Sequence, residues 1–176
     1  MPRVFAAAPR VDVAALVERE APALLAYFSR RIERVDDAAD LLGDTLLVAW
    51  RRIGSIPADE IRARMWLYGV ARKTLLAHRR SATRRWALAD KLRLELAAAP
   101  PAVENPLHEH VRSLVGDLDE IDREIIGLVY WEGFSLVEAA RILGMRSATV
   151  RSRHARARAR LRDALVDSGD VDGARP

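Results

Sequence analysis

Apolar residues recur three and four positions apart along most of this chain, the period of an amphipathic helix. Asp12 can cap a first helix over residues 13–20. Pro22 stands where a second helix would start, because proline is tolerated in a first turn. That helix runs to residue 34, with Leu24, Leu25, Phe28 and Ile32 on one face. Asp36 is a fitting N-cap for the next, over residues 37–53, where Ala38, Leu41, Leu42, Thr45, Leu46 and Ala49 keep the helical period. A second stripe of the same helix, Asp37, Asp40, Asp44 and Leu47, is acidic at its start and apolar further on. Residues 54–59, with Gly54 and Pro57, read as a loop. A long helix then covers residues 60–85, its apolar face carried by Met65, Trp66, Val70, Leu75 and Leu76. Trp50 and Trp131 read as core.

The pattern breaks at residues 97–106, AAAPPAVENP, since three prolines in seven positions cannot continue a helix. Residues 86–106 therefore read as a linker, with a loosely held helix over 86–96. Four more helices follow, over residues 107–117, 120–131, 136–143 and 148–166. Asp119 can cap the second of these, and Ser135 with Glu138 forms a capping box for the third. Residues 1–11 and the tail 167–176 have nothing to bury and are expected to be disordered. There is no strand candidate of useful length. The fold class is all-α: two small helical domains, 12–85 and 107–166, joined by a Pro/Ala-rich linker.

Charge changes this picture through its distribution. The chain of 176 residues carries 29 Lys+Arg against 25 Asp+Glu, a formal net charge of only +4. Between Arg62 and Arg93, however, there are ten basic residues and a single acid, Asp90. Between Arg146 and Arg162 there are seven arginines and no acid. Solvated helix faces intersperse the two signs, so two separated basic blocks point to two places that meet a polyanion. Residues 35–50 are the opposite, with four acids and no base.

The absence of cysteine rules out disulfides, zinc-thiolate sites and thiol chemistry. No run approaches the roughly 18 apolar residues of a membrane span. The N-terminal apolar stretch is too short for a secretory signal, so the cytoplasm is the simplest compartment and no membrane insertion is expected. No Ser-His-Asp set, metal-ligand spacing or phosphate-binding glycine loop appears. An enzyme is not expected, nor a metal or cofactor; His108 and His110 make only a weak metal pair. His78 and His154 lie inside the basic blocks.

The most informative segment is SLVEAARILGMRSATVRSRHARARARLR, residues 135–162. A short helix with Leu136, Ala139, Ala140 and Leu143 inward ends at Gly144, which can adopt the left-handed conformation that stops a helix. Met145 and Val150 would pack inward across the turn. Either Ser147 caps the next helix, or Arg146 occupies the cap and the serine lies inside. This is a helix-turn-helix pattern, whose second helix enters the major groove and presents its N-terminal residues to base edges. Arg151, Ser152, Ala155 and Arg156 would be exposed there. The arginine fork matches the acceptor pair of guanine. Arg153, Arg158 and Arg160 would serve phosphates, which position the helix without reading sequence. The bland alternative is a helical hairpin with a basic outer face. It gives no reason for the small Ala139-Ala140 pair, the glycine turn and Thr149-Val150 in that order.

These residues resemble a known family. DREIIGLVYWEGFSLVEAARILGMRSATVRSRHARARARL resembles region four, the promoter-binding domain of bacterial sigma factors, especially the extracytoplasmic-function (ECF) group of the sigma-70 family. The run Asp37-Ala38-Ala39-Asp40-Leu41-Leu42-Gly43-Asp44-Thr45-Leu46-Leu47-Val48-Ala49-Trp50, with Trp66-Leu67-Tyr68-Gly69-Val70-Ala71-Arg72, resembles region two. Both occur in the family's order, with a linker and no region three between them.

The resemblance implies an RNA polymerase sigma factor that binds core RNA polymerase and directs promoter-specific initiation. It implies that Asp37, Asp40, Asp44 and Leu47 bind the clamp helices of the polymerase. Arg62, Arg64, Tyr68, Arg72, Lys73, His78, Arg79 and Arg80 would hold the melted −10 strand, with Trp66 and Tyr68 either stacking platforms for bases or core. Arg146, Thr149, Arg151, Ser152, Arg153, Ala155 and Arg156 would hold the −35 element, and the same domain would touch the polymerase flap. Family members are often held by an anti-sigma partner. Gly43, Ala63, Lys73, Ala77, Asp119 and Arg146 depart from the usual residues; Ala63, Lys73 and Ala77 bear on which −10 sequence is read. A stand-alone helix-turn-helix regulator is the competing reading, and it leaves the acidic helix without a role.

Overall fold

A carboxylate starts the first helix. Asp12 accepts hydrogen bonds from the N–H groups of Ala14 (3.0 Å) and Ala15 (3.2 Å), two of the donors that a helix leaves open at its N-terminus. The computed structural model describes residues 12–89, apart from residue 33, and residues 106–167. Helix α1 runs Val13–Ser29 without interruption, so one helix stands where two were expected, with Pro22 inside it. Leu16, Glu20, Leu24, Tyr27 and Phe28 form a single buried stripe along it, while Pro22 faces solvent. That stripe holds the helix together across a residue that costs about 3 kcal/mol in a helix interior.

Helix α2, Val35–Arg51, begins two residues earlier than expected. Arg34 takes the cap position without a side-chain bond, and Asp36 lies with Asp37 in the first turn, where a carboxylate complements the positive end of the helix dipole. Ala38, Leu41, Thr45 and Ala49 are buried. A 3-10 turn, Ile53–Ser55, leads toward α3, Glu60–Ala89. Asp59 accepts the Arg62 N–H at 2.8 Å at its start. Ala63, Met65, Leu67, Tyr68, Ala71 and Leu75 line its inner side. The three helices pack against one another. At their centre the Tyr27 ring meets Phe28 and Tyr68 edge-on, with centroids 5.3 and 5.7 Å apart.

The second group comprises α4 (Pro106–Gly116), α5 (Glu120–Tyr130), α6 (Leu136–Leu143) and α7 (Ser147–Asp167). Asp119 caps α5 by accepting the Ile121 N–H at 2.9 Å. The Ser135–Glu138 capping box forms as expected, and Gly144 ends α6 in the left-handed region at φ 66°. The Val150 N–H reaches the Arg146 carbonyl at 3.1 Å, which places Arg146 at the cap of α7 and Ser147 inside it. Val115, Leu118, Ile126 and Ala157 form a core, with Val111 and Leu161 packed against it.

All described regular structure is helical. The chain divides into two compact units, residues 1–96 and 97–176, a boundary inside the stretch read as a linker. The first residues of that stretch continue α3, which ends at Ala89 rather than residue 85. The segments 1–11, 90–105 and 168–176, including most of the expected linker and tail, lie outside the described residues. Two aromatic expectations are corrected. Trp50 is 70% exposed and Trp131 42% exposed. Helix α2 turns its 38–41–45–49 edge inward and leaves Trp50 a step outside, and Trp131 follows the last residue of α5.

Candidate nucleic-acid interface

The capping box and Gly144 fix both ends of α6, so α7 leaves the turn in a defined direction. Val150 and Ala157 are fully buried on its inner side. The opposite side presents Arg151, Ser152, Ala155 and Arg156, all exposed, with Arg146 and Thr149 exposed at its start. Six of the seven residues expected at the −35 element thus form one surface. Arg153 is the exception. It donates from Nε to Asp122 and from Nη2 to Asp119, both at 2.6 Å. Its guanidinium is thus held by two carboxylates of its own unit instead of standing on the outer surface with the other six.

The first unit repeats this division. On α3 the residues Arg62, Trp66, Gly69, Lys73, Ala77 and Arg80 recur at steps of three or four along one side. Arg62, Lys73, Ala77 and Arg80 are exposed, and Trp66, half-buried, lies on the same side of the helix. Gly69 has open space where a side chain would stand, so the helix surface beside Trp66 is bare. Arg72 and His78 flank the stripe, half-buried.

Three residues expected at the −10 strand face elsewhere. Tyr68 is fully buried against Tyr27, because it lies on the inner side with Leu67, Ala71 and Leu75. Arg64 donates from Nε to Glu20 at 3.0 Å. Glu20 is only 5% exposed and also accepts from Arg19 Nε at 3.2 Å. Arg79 donates from Nη2 to the Arg31 carbonyl at 3.1 Å, tying α3 to the end of α1. Ala63 is buried too, so its departure from the family pattern affects packing, whereas Lys73 and Ala77 stand on the outer stripe.

On α2, Asp40 and Asp44 are exposed and Leu47 is 54% exposed, as the stripe requires. Asp37 is half-buried, and its Oδ2 lies 3.7 Å from His78 Nε2 on α3. Trp50 continues the exposed apolar end of the stripe three residues beyond Leu47. Sequence reasoning missed it by assigning a large aromatic to the core; its i+3 spacing from Leu47 was the available signal.

His154 on α7 stacks on Tyr130 of α5, with ring centroids 5.8 Å apart and planes 18° apart. Burial, and then the nearby Arg158 charge, lower its pKa below the ordinary 6.5. Among the described residues no group of three or more His, Cys, Asp or Glu could hold a metal ion, and no helix is long and apolar enough to cross a membrane.

A helix-turn-helix unit with an arginine surface, and a separate helical unit with a basic and an acidic stripe, define a class: a two-unit, all-helical DNA-binding protein. Comparison with known proteins places it further. The family model "Sigma-70 region 2" matches residues 16–85, and "Sigma-70, region 4" matches residues 114–163. The chain is 32% identical over 154 residues to the ECF RNA polymerase sigma factor SigL of Mycobacterium tuberculosis, covering 84% of this chain and 85% of that one. It is 30% identical over 138 residues to the ECF sigma factor SigM of Bacillus subtilis, covering 77% and 83%. Among solved structures, the sigma factor RpoE of Bartonella quintana, determined with the anti-sigma factor NepR, superposes with a TM-score of 0.71 at 30% identity over 92% of this chain and 98% of that one. The chain belongs to the sigma-70 family, in its ECF group: it is an RNA polymerase sigma factor that directs transcription initiation from promoters. Sigma factors are non-catalytic initiation factors, and their partners are core RNA polymerase and promoter DNA.

Proposed function

We propose that three surfaces divide the work of initiation. The outer side of α7, with Arg146, Thr149, Arg151, Ser152, Ala155 and Arg156, reads the −35 element as duplex. The outer stripe of α3, with Arg62, Lys73 and Arg80 and with Arg72 and His78 beside it, holds the melted −10 strand, and Trp66 stacks a base. The α2 stripe, Asp37, Asp40, Asp44 and Leu47, docks on the clamp helices of the polymerase, extended by Trp50. The chain has no catalytic activity of its own and acts in the cytoplasm.

The observation that carries this reading is the grouping of Arg151, Ser152, Ala155 and Arg156 as one exposed surface at the start of the second helix of the helix-turn-helix. Exposure of Asp40 and Asp44 on a different unit supports a separate polymerase contact. The N-terminal turns of α7 carry positive charge with no acid among residues 146–162, which suits phosphates on either side of the groove. A structural relative held by an anti-sigma factor supports control of this chain by an inhibitory protein of the same kind.

Reconstitution with core RNA polymerase tests the reading. The full chain should direct initiation from a discrete set of promoters sharing two upstream elements, as mapped by transcript 5′ ends. Transcripts that start without any shared upstream element contradict it.

A further inference from the structure

Arg153 differs from the other arginines of α7 in where its guanidinium goes. Its Nε donates to Asp122 Oδ1 and its Nη2 to Asp119 Oδ1, each at 2.6 Å. The Asp122 side chain is only 9% exposed and that of Arg153 25%. Asp119 has a second task, since the same Oδ1 accepts the Ile121 N–H and caps α5. The turn that carries Asp119 is itself tied down. Arg123 Nη2 donates to the carbonyls of Gly116 (2.6 Å) and Leu118 (2.9 Å).

The rest of the contact beneath α7 is apolar apart from His154, which stacks on Tyr130. Its inner side offers Val150 and Ala157, with Leu161 partly buried, to α5 and α6. On α6 the buried residues are the small Ala139 and Ala140 together with Ile142 and Leu143. Apolar packing is non-directional, and the small Val150, Ala157, Ala139 and Ala140 at its centre let the helices approach closely without themselves fixing one rotation. A planar guanidinium engaging two carboxylates has one geometry and resists such rotation well.

We propose that Arg153 is a positioning residue. Locked between Asp119 and Asp122, it sets the rotation of α7 that turns Arg151, Ser152, Ala155 and Arg156 toward base edges, and it makes no phosphate contact. This rests on the assignment of α7 as the DNA-reading helix.

The test uses the full chain and a duplex recovered by selection from randomised DNA, with binding followed by fluorescence anisotropy across a salt series. Arg153→Lys keeps the charge and removes the fork. It should weaken binding to the selected duplex about tenfold, the size of one misplaced base contact, and leave binding to random duplex and the salt slope unchanged. Asp122→Asn should do the same, and the double variant should lose no more than either single one. Asp119→Asn, at the more exposed partner, should act in the same direction, and it keeps the test open if a change at Asp122 disturbs folding. A phosphate contact predicts otherwise. Lysine would then hold the phosphate with near-native affinity, and Arg153→Gln would reduce the salt slope by about 0.9. That pattern overturns the proposal. If the unmodified chain distinguishes no selected duplex from random DNA, the assignment of α7 fails first and the inference falls with it.

Discussion

Helices α3 and α7 are both arginine-rich and both turn one side to solvent, yet they spread that side differently. On α3 the outer stripe runs from Arg62 to Arg80, about 27 Å at the helical rise. It is interrupted by Trp66 and the open surface at Gly69. On α7 the exposed residues from Thr149 to Arg156 span about 10 Å, directly after a capped and glycine-terminated turn. A long basic track with an aromatic beside it suits an extended single strand. A short cluster at a helix start suits the major groove. The two helices also share a feature. Each turns one arginine inward onto a buried acid of a preceding helix, Arg64 onto Glu20 and Arg153 onto Asp122. A basic helix therefore divides its arginines between an exposed side and an internal brace, and the positions of the buried acids decide which arginine is which.

The two helices should differ most at the DNA bases. Arg151→Glu with Arg156→Glu should reduce initiation from mapped promoters at least about a hundredfold, since each good base contact is worth about 1–3 kcal/mol. Run-off transcription with reconstituted holoenzyme measures it. The shared inward arginine is tested next. Glu20→Ala removes the buried carboxylate that Arg64 and Arg19 share and should destabilise the first unit by about 2 kcal/mol, read by thermal or urea unfolding. An unchanged stability would end the parallel with Arg153. Lys73→Glu should weaken binding to a forked −10 fragment roughly tenfold, because a repelled phosphate replaces an attracted one, while leaving duplex binding by α7 untouched. Asp40→Ala with Asp44→Ala should weaken core polymerase binding about fivefold, the scale of two exposed charges, as seen in competition for core polymerase.

The smallest effect concerns His154. Its folded pKa lies below 6.5 because burial and Arg158 disfavour the charged ring. The unfolded chain then takes up the proton first. This contribution to stability is complete above pH 6.5 and is lost as pH falls through the range below it. The melting temperature of the second unit should fall more between pH 7.5 and pH 5.5, both ordinary assay values spanning the imidazole range, in the native chain than in His154→Leu.

Much of this was legible in the sequence where the signal is local. The boundaries of α6 follow from Ser135, Glu138 and Gly144, all within ten residues, and the structure keeps them as read. The exposed residues of α7 follow from helical period alone. The losses came where a distant partner decides. Arg64 meets Glu20 across 44 residues, and Arg153 meets Asp122 across 31. A run of arginines without acids conceals such pairs, because the acids belong to other helices. Pro22 favours a helix start locally because its cost inside a helix is real. The continuous stripe from Leu16 to Phe28 outweighs that cost. Residue type alone points Trp50 to the core, but α2 turns one edge inward and Ala49 occupies it.

The central claim is that α3 and α7 hold one promoter at two separate elements, the first as a strand and the second as a duplex. A benzophenone amino acid placed at Ala77 or at Ala155, both exposed on these surfaces, tests it inside the open complex with core polymerase. The probe at Ala77 should cross-link to the melted −10 segment, and the probe at Ala155 to base-paired DNA near −35. Cross-links from both probes to the same segment, or a probe at Ala155 that labels only polymerase, would contradict the account.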